Sequence, residues 1–121
     1  MAMKVTDLMV GDWVNVNGLN LKVGAIHADE IGVFDPDLKI YWCSDDGLDS
    51  IDPIPLTEDI LVKNGWRKEP ITIDGDYANW HGEIPICQEE EEFNYERIEL
   101  IYVHQLQHLL RLCGIEKEIG L

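Results

Sequence analysis

Apolar and polar residues alternate with period two through much of the first half of the chain. Trp13-Val14-Asn15-Val16 reads as a strand on its aromatic and β-branched content. Asn17-Gly18 follows, and both residue types tolerate the positive φ that a two-residue hairpin turn needs. Leu19-Asn20-Leu21-Lys22-Val23 alternates, which buries one face and wets the other. Gly24 is placed to bend that strand or to form a bulge. Ile31 to Phe34 is a third strand, Asp35-Pro36-Asp37 a turn and Leu38 to Cys43 a fourth strand. Four short strands in about fifty residues predict a small antiparallel meander, closed as an SH3-like barrel in preference to a small open sheet.

The pattern then changes. Asp52-Pro53-Ile54-Pro55 is extended, because a residue before proline is pushed out of the α region. Thr57 is the expected N-cap of a short helix, with Glu58 and Asp59 where the helix dipole favours acid. That helix runs to about Asn64, is anchored by Ile60, Leu61 and Val62, and stops at Gly65. Ile71-Thr72-Ile73 and Ile84-Pro85-Ile86-Cys87 read as strands, the second at a sheet edge because of Pro85. Asp74-Gly75-Asp76 and Trp80-His81-Gly82 read as turns, Glu89 to Glu92 as a solvated turn and Phe93 to Leu100 as one more strand.

Tyr102 to Cys113, before Gly114, has helical period. At 100° per residue, Tyr102, Val103, Leu106, Leu109, Leu110 and Cys113 form one broad apolar face. His104, Gln107, His108 and Arg111 fall opposite, with Gln105 and Leu112 at the border. The apolar face is expected to cover the sheet, and the polar one to meet water or a partner. Ile115 to Ile119 is a last short strand or a loose tail. The fold class is therefore α+β in a single domain, residues 1–121, with a β-rich part at 1–56 and an α+β part at 57–121.

Charge narrows the partners. Nine Lys and Arg against twenty-four Asp and Glu leave a net charge of −15 in 121 residues. Nucleic-acid binders gain affinity by neutralising phosphates with bases, and here the bases are scattered, so nucleic acid and anionic membrane surfaces are disfavoured. A protein partner is expected. The same charge allows an acidic mimic of DNA that occupies a DNA-binding protein. With 45% hydrophobic residues the chain has material for a core. No apolar run reaches the ~18 residues of a membrane helix, and no secretory leader is recognisable, so a cytoplasmic location is expected. Cys43, Cys87 and Cys113 form no C-x-x-C pair and read as small apolar core residues.

Candidate chemistry is sparse. His104 and His108 are four apart, a spacing that lets two imidazoles share a metal. Gln105 stands where a metalloprotease helix carries its glutamate base, so a metal-dependent hydrolase is the alternative to a non-enzymatic interaction protein. No phosphate-binding loop, dinucleotide fingerprint or nucleophile elbow occurs, and no cofactor or catalytic residue is expected. Asp35-x-Asp37, Asp45-Asp46 and Asp74-x-Asp76 lack the ligand series of a calcium loop and read as turn residues. Trp66 and Trp80, beside turn residues, are the tryptophans expected at the surface, where they would form a small binding patch. The helix face His104, Gln107, His108, Arg111 is the other candidate binding surface.

Three segments resemble a family of small uncharacterised bacterial proteins that accompany prophage or mobile-element genes. They are Leu8 to Val14, Ile54 to Leu61 with Asn64-Gly65-Trp66, and Tyr102-Val103-His104-Gln105-Leu106-Gln107. The family pattern continues with Asn where this chain has His108, which weakens the metal pair. The resemblance implies a family without an assigned function and brings no activity, substrate or cofactor with it. The absence of a catalytic constellation, together with the polar helix face, points to a non-enzymatic interaction protein, an accessory of phage or mobile-element biology.

Overall fold

The computed structural model describes residues 7–44, 50–73 and 76–121. The fold is α+β, and the chain forms two compact units, Met1–Ile54 and Pro55–Leu121. Each carries one five-stranded antiparallel sheet among the described residues.

The first unit contains β1 (Trp13–Val16), β2 (Leu19–His27), β3 (Glu30–Phe34), β4 (Ile40–Ser44) and β5 (Ile51–Asp52), in the order β4-β3-β2-β1-β5. Asn17 and Gly18 join β1 to β2 with φ of 53° and 90°, as the hairpin signal requires. β2 serves two partners: its first half pairs with β1 and its second half with β3, and the register shifts between Val23 and Ala25. Gly24 sits at that bulge, which increases twist and lets one long strand turn between neighbours. Inward residues Val14, Val16, Val23, Ile31, Val33, Cys43 and Ile51 form a core with Leu8, and Leu21 packs against it. Asp12 is fully buried within the unit, where its Oδ2 accepts from the Met9 amide at 2.7 Å.

The turn between β3 and β4 is built by Asp35, whose Oδ1 accepts from the amides of Asp37 and Lys39, each at 2.9 Å. Leu38 follows with φ of 61° while 80% exposed. A branched L-residue strains in that left-handed region and gains no packing there. Leu38→Gly is expected to stabilise the unit by about 0.5–1 kcal/mol, read as a higher urea midpoint; an unchanged or lower midpoint would remove the strain argument.

The second unit contains α1 (Glu58–Lys63), β6 (Arg67–Pro70), β7 (Tyr77–His81), β8 (Ile86–Glu89), β9 (Glu92–Tyr95), β10 (Ile98–Leu100) and α2 (Val103–Leu112). The sheet order is β10-β9-β8-β7-β6. Thr57 caps α1, its side chain accepting from the Ile60 amide, and Gly65 ends it at φ of 93°. Leu61 is the anchor; Val62 stands in solvent.

Several expectations for this half are corrected. The edge strand is Arg67–Pro70, whereas Ile71 to Ile73 form bends and a turn with Ile73 fully exposed. Trp80 and His81 end β7 instead of forming a turn. Pro85 lies just ahead of β8, so its missing N–H leaves that central strand's ladder intact. Phe93 to Leu100 splits at Glu96-Arg97, both at positive φ, into β9 and β10. Asp45, Asp46, Asp74 and Gly75 lie outside the described residues.

Trp66 and Trp80 are buried, at 2% and 1% exposure, and form no surface patch. Trp66 Nε1 donates to the Ile84 carbonyl at 2.9 Å, and Trp80 Nε1 donates to the buried Gln88 Oε1 at 2.8 Å. A ring with one polar atom is stable in a core once that atom is bonded. The C-terminal tail forms no strand but is tied down. Ile119 is buried, Gly120 exchanges bonds with the Asn64 side chain, and Lys117 lies over the Trp66 ring. Lys117 also donates to Glu83 at 2.8 Å, which holds that carboxyl below its ordinary range.

Candidate interaction surface

Helix α2 does not present the polar face that its sequence suggests. His104 and Gln107 are buried, at 7% and 6% exposure, together with Val103, Leu106, Leu109 and Leu110. At 100° per residue this buried arc is far broader than the apolar stripe. Rings close over the flank: Tyr102 stacks on His104 with centroids 5.9 Å apart, and His108 meets His104 edge-on at 5.5 Å. His108 is half-buried, and only Arg111 of the four candidates is exposed. His104, Gln107, His108 and Arg111 therefore share no common surface. Among the described residues, no group of three or more His, Cys, Asp and Glu is placed to hold a metal.

Gln105 has a local role. Its Oε1 accepts from the amides of Ile101 and Tyr102, at 2.8 and 3.0 Å, and closes the start of α2. Cys113, expected on the apolar side, is exposed, as is Cys87; only Cys43 is a core residue. The Tyr95 hydroxyl is pushed above its ordinary pKa by the Glu96 charge and, beyond that, by Cys113.

The apolar surface lies instead on the first unit. Phe34 and Ile40 are register partners, as are Gly32 and Trp42. Partners in an antiparallel pair point to the same side, so Phe34, Gly32, Ile40 and Trp42 share the outer face while Ile31, Val33 and Cys43 point to the core. Two glycines make room for this face. A Cβ on Gly24 would lie 2.6 Å from the Phe34 ring, and one on Gly32 would lie 2.8 Å from Ile40 and 3.4 Å from the Trp42 ring. The side chains therefore lie down across bare backbone. They remain between 39% and 46% exposed, a contiguous apolar patch of the kind that marks binding surfaces.

Among the described residues, β4 is also an edge strand that lacks the usual guards. Proteins blunt exposed edges with short strands, proline or charge. β5 has two residues, β10 has three, and β6 carries Arg67, Lys68 and Pro70. β4 has five, Ile-Tyr-Trp-Cys-Ser, with neither charge nor proline, and among the described residues it pairs with β3 alone. The sequence signal for this surface was available in Gly24 and Gly32 inside strands, and in Phe34, Ile40 and Trp42 on one parity. Adjacency to turn residues, by contrast, does not predict which tryptophans are exposed: Trp66 and Trp80 are buried and Trp42, inside a strand, is exposed.

The second unit has an acid-rimmed groove of about 380 Å³, with Leu56, Phe93, Leu100 and Ile101 among its walls and Glu91, Glu92 and Glu99 around them. No described helix is long and apolar enough to cross a membrane. No family model, curated protein or solved structure matches the chain.

Proposed function

We propose that the protein is a non-enzymatic protein-interaction module that binds through the outer face of β3 and β4. The observation that carries this reading is the coincidence of the Phe34–Ile40–Trp42 patch with an edge strand that, among the described residues, pairs on one side only. An apolar face seated over glycines and left open is a liability unless something covers it. The strand order β4-β3-β2-β1-β5, with β2 shared between two halves, supports a small SH3-like barrel as the scaffold. An accessory role in phage or mobile-element biology fits the absence of a catalytic constellation in the sequence.

Capture of proteins from lysate by the immobilised protein tests the reading when variants are compared by quantitative mass spectrometry. Ile40→Lys/Trp42→Ser is expected to lose the captured set, and His108→Glu/Arg111→Glu to retain it, with circular dichroism unchanged in both. Gly24→Ala is expected to weaken capture without removing an apolar atom, because the methyl displaces the Phe34 ring. Identical lists for the wild type and the β4 double variant would overturn the proposal.

A further inference from the structure

We infer that β4 takes up an extended, basic peptide segment by adding it as a further strand; the inference rests on the reading of the first unit as a binding module. Backbone geometry supplies the docking groups. The Asp35 amide donates to the Lys39 carbonyl at 2.8 Å, which makes these two a hydrogen-bonded pair. Alternation along an antiparallel ladder then makes Val33–Tyr41 and Ile31–Cys43 hydrogen-bonded pairs. The amides and carbonyls of Ile40 and Trp42 are thereby turned away from β3, toward the side on which β4 has no strand partner among the described residues. An added strand would bond to these, and its alternate side chains would lie beside the Ile40 and Trp42 side chains.

Charge selects the occupant. Residues 1–54 carry ten acids and three bases. Asp35 and Asp37 precede β4 at its turn, and Glu30 pairs with Ser44 at its other end. Lys39 is the single base in this stretch, and Lys22 lies over the Trp13 ring. A second copy of the chain would bring another acidic unit against the first, which disfavours self-pairing through this edge. A segment with apolar residues at its centre and Lys or Arg at its flanks matches both the patch and the field around it.

A displayed library of random octapeptides, selected on the immobilised full chain, tests this. Enriched peptides are expected to be basic and free of proline at their centres, and to bind about tenfold or more weakly when NaCl rises from 50 to 500 mM. Ile40→Pro removes an edge amide at the first residue of the strand, where proline is tolerated, and is expected to reduce their affinity by at least about tenfold. Hydrogen exchange on the wild type serves independently of how that variant folds: the Ile40 and Trp42 amides are expected to slow when a selected peptide is added. Acidic or uncharged winners, or winners that leave those amides unprotected, would overturn the strand-addition inference while the binding reading stands. A concentration-dependent dimer in sedimentation that Ile40→Pro abolishes would overturn it in favour of self-pairing. No enrichment over an immobilised Ile40→Lys/Trp42→Ser control would overturn both readings.

Discussion

Replacing Trp66 with Ala is expected to remove about 3–5 kcal/mol from the unfolding free energy of the second unit. The indole is 2% exposed and sits where three parts of the unit meet. Its Nε1 bonds to the Ile84 carbonyl. Gly82 approaches so closely that a Cβ there would lie 2.4 Å from the indole nitrogen. The Lys117 ammonium lies 5.3 Å from the ring centroid on the C-terminal tail. Truncation would empty a large site and leave the Ile84 carbonyl without its donor. Trp66→Phe separates these effects, retaining most of the packing while losing the bond, at a cost of about 1–3 kcal/mol. Urea unfolding followed by far-UV circular dichroism, with hydrogen exchange assigning the loss to residues 55–121, provides the measurement. A loss below about 1 kcal/mol for the alanine variant would show that the ring is not held as described.

The second large effect concerns the phase of α2. Leu106→Ala and Leu110→Ala are each expected to cost about 2–5 kcal/mol, because both side chains are fully buried. Leu112→Ala is expected to change stability by less than about 0.5 kcal/mol, since Leu112 is 85% exposed. The contrast matters because all three are leucines on one short helix, so helix propensity changes equally and burial alone separates them. Comparable losses at Leu110 and Leu112 would contradict the helix rotation, and with it the burial of His104 and Gln107.

Local readings survived where a single residue's chemistry decides the outcome. Asn17-Gly18, the Thr57 cap and the Gly65 stop follow from positive φ or an orphan amide, and neither depends on distant contacts. Readings failed where burial decides. His104 and Gln107 look polar on a helical wheel, but a wheel does not record what packs on the helix; both are buried, and the rings of Tyr102 and His108 flank His104. Trp66 and Trp80 stand beside turn residues in sequence, yet each ring finds one acceptor and enters the interior. Glu96-Arg97 carries no glycine, so nothing local announced a turn that divides β9 from β10.

The candidate surface divides in the same way. Its parts were legible: glycines inside strands, and apolar residues of one parity on both sides of an Asp-Pro turn. Their assembly was not, because register places Gly32 opposite Trp42, and the bulge at Gly24 brings Phe34 across bare backbone. The amino-acid order alone determined that the chain is acidic, that it is α+β, and where its first hairpin and both helices fall, since these depend on residues within a few positions of one another. Only the tertiary structure decided which faces meet water, because burial depends on what distant segments bring alongside, and that selected the β4 edge over the polar side of α2.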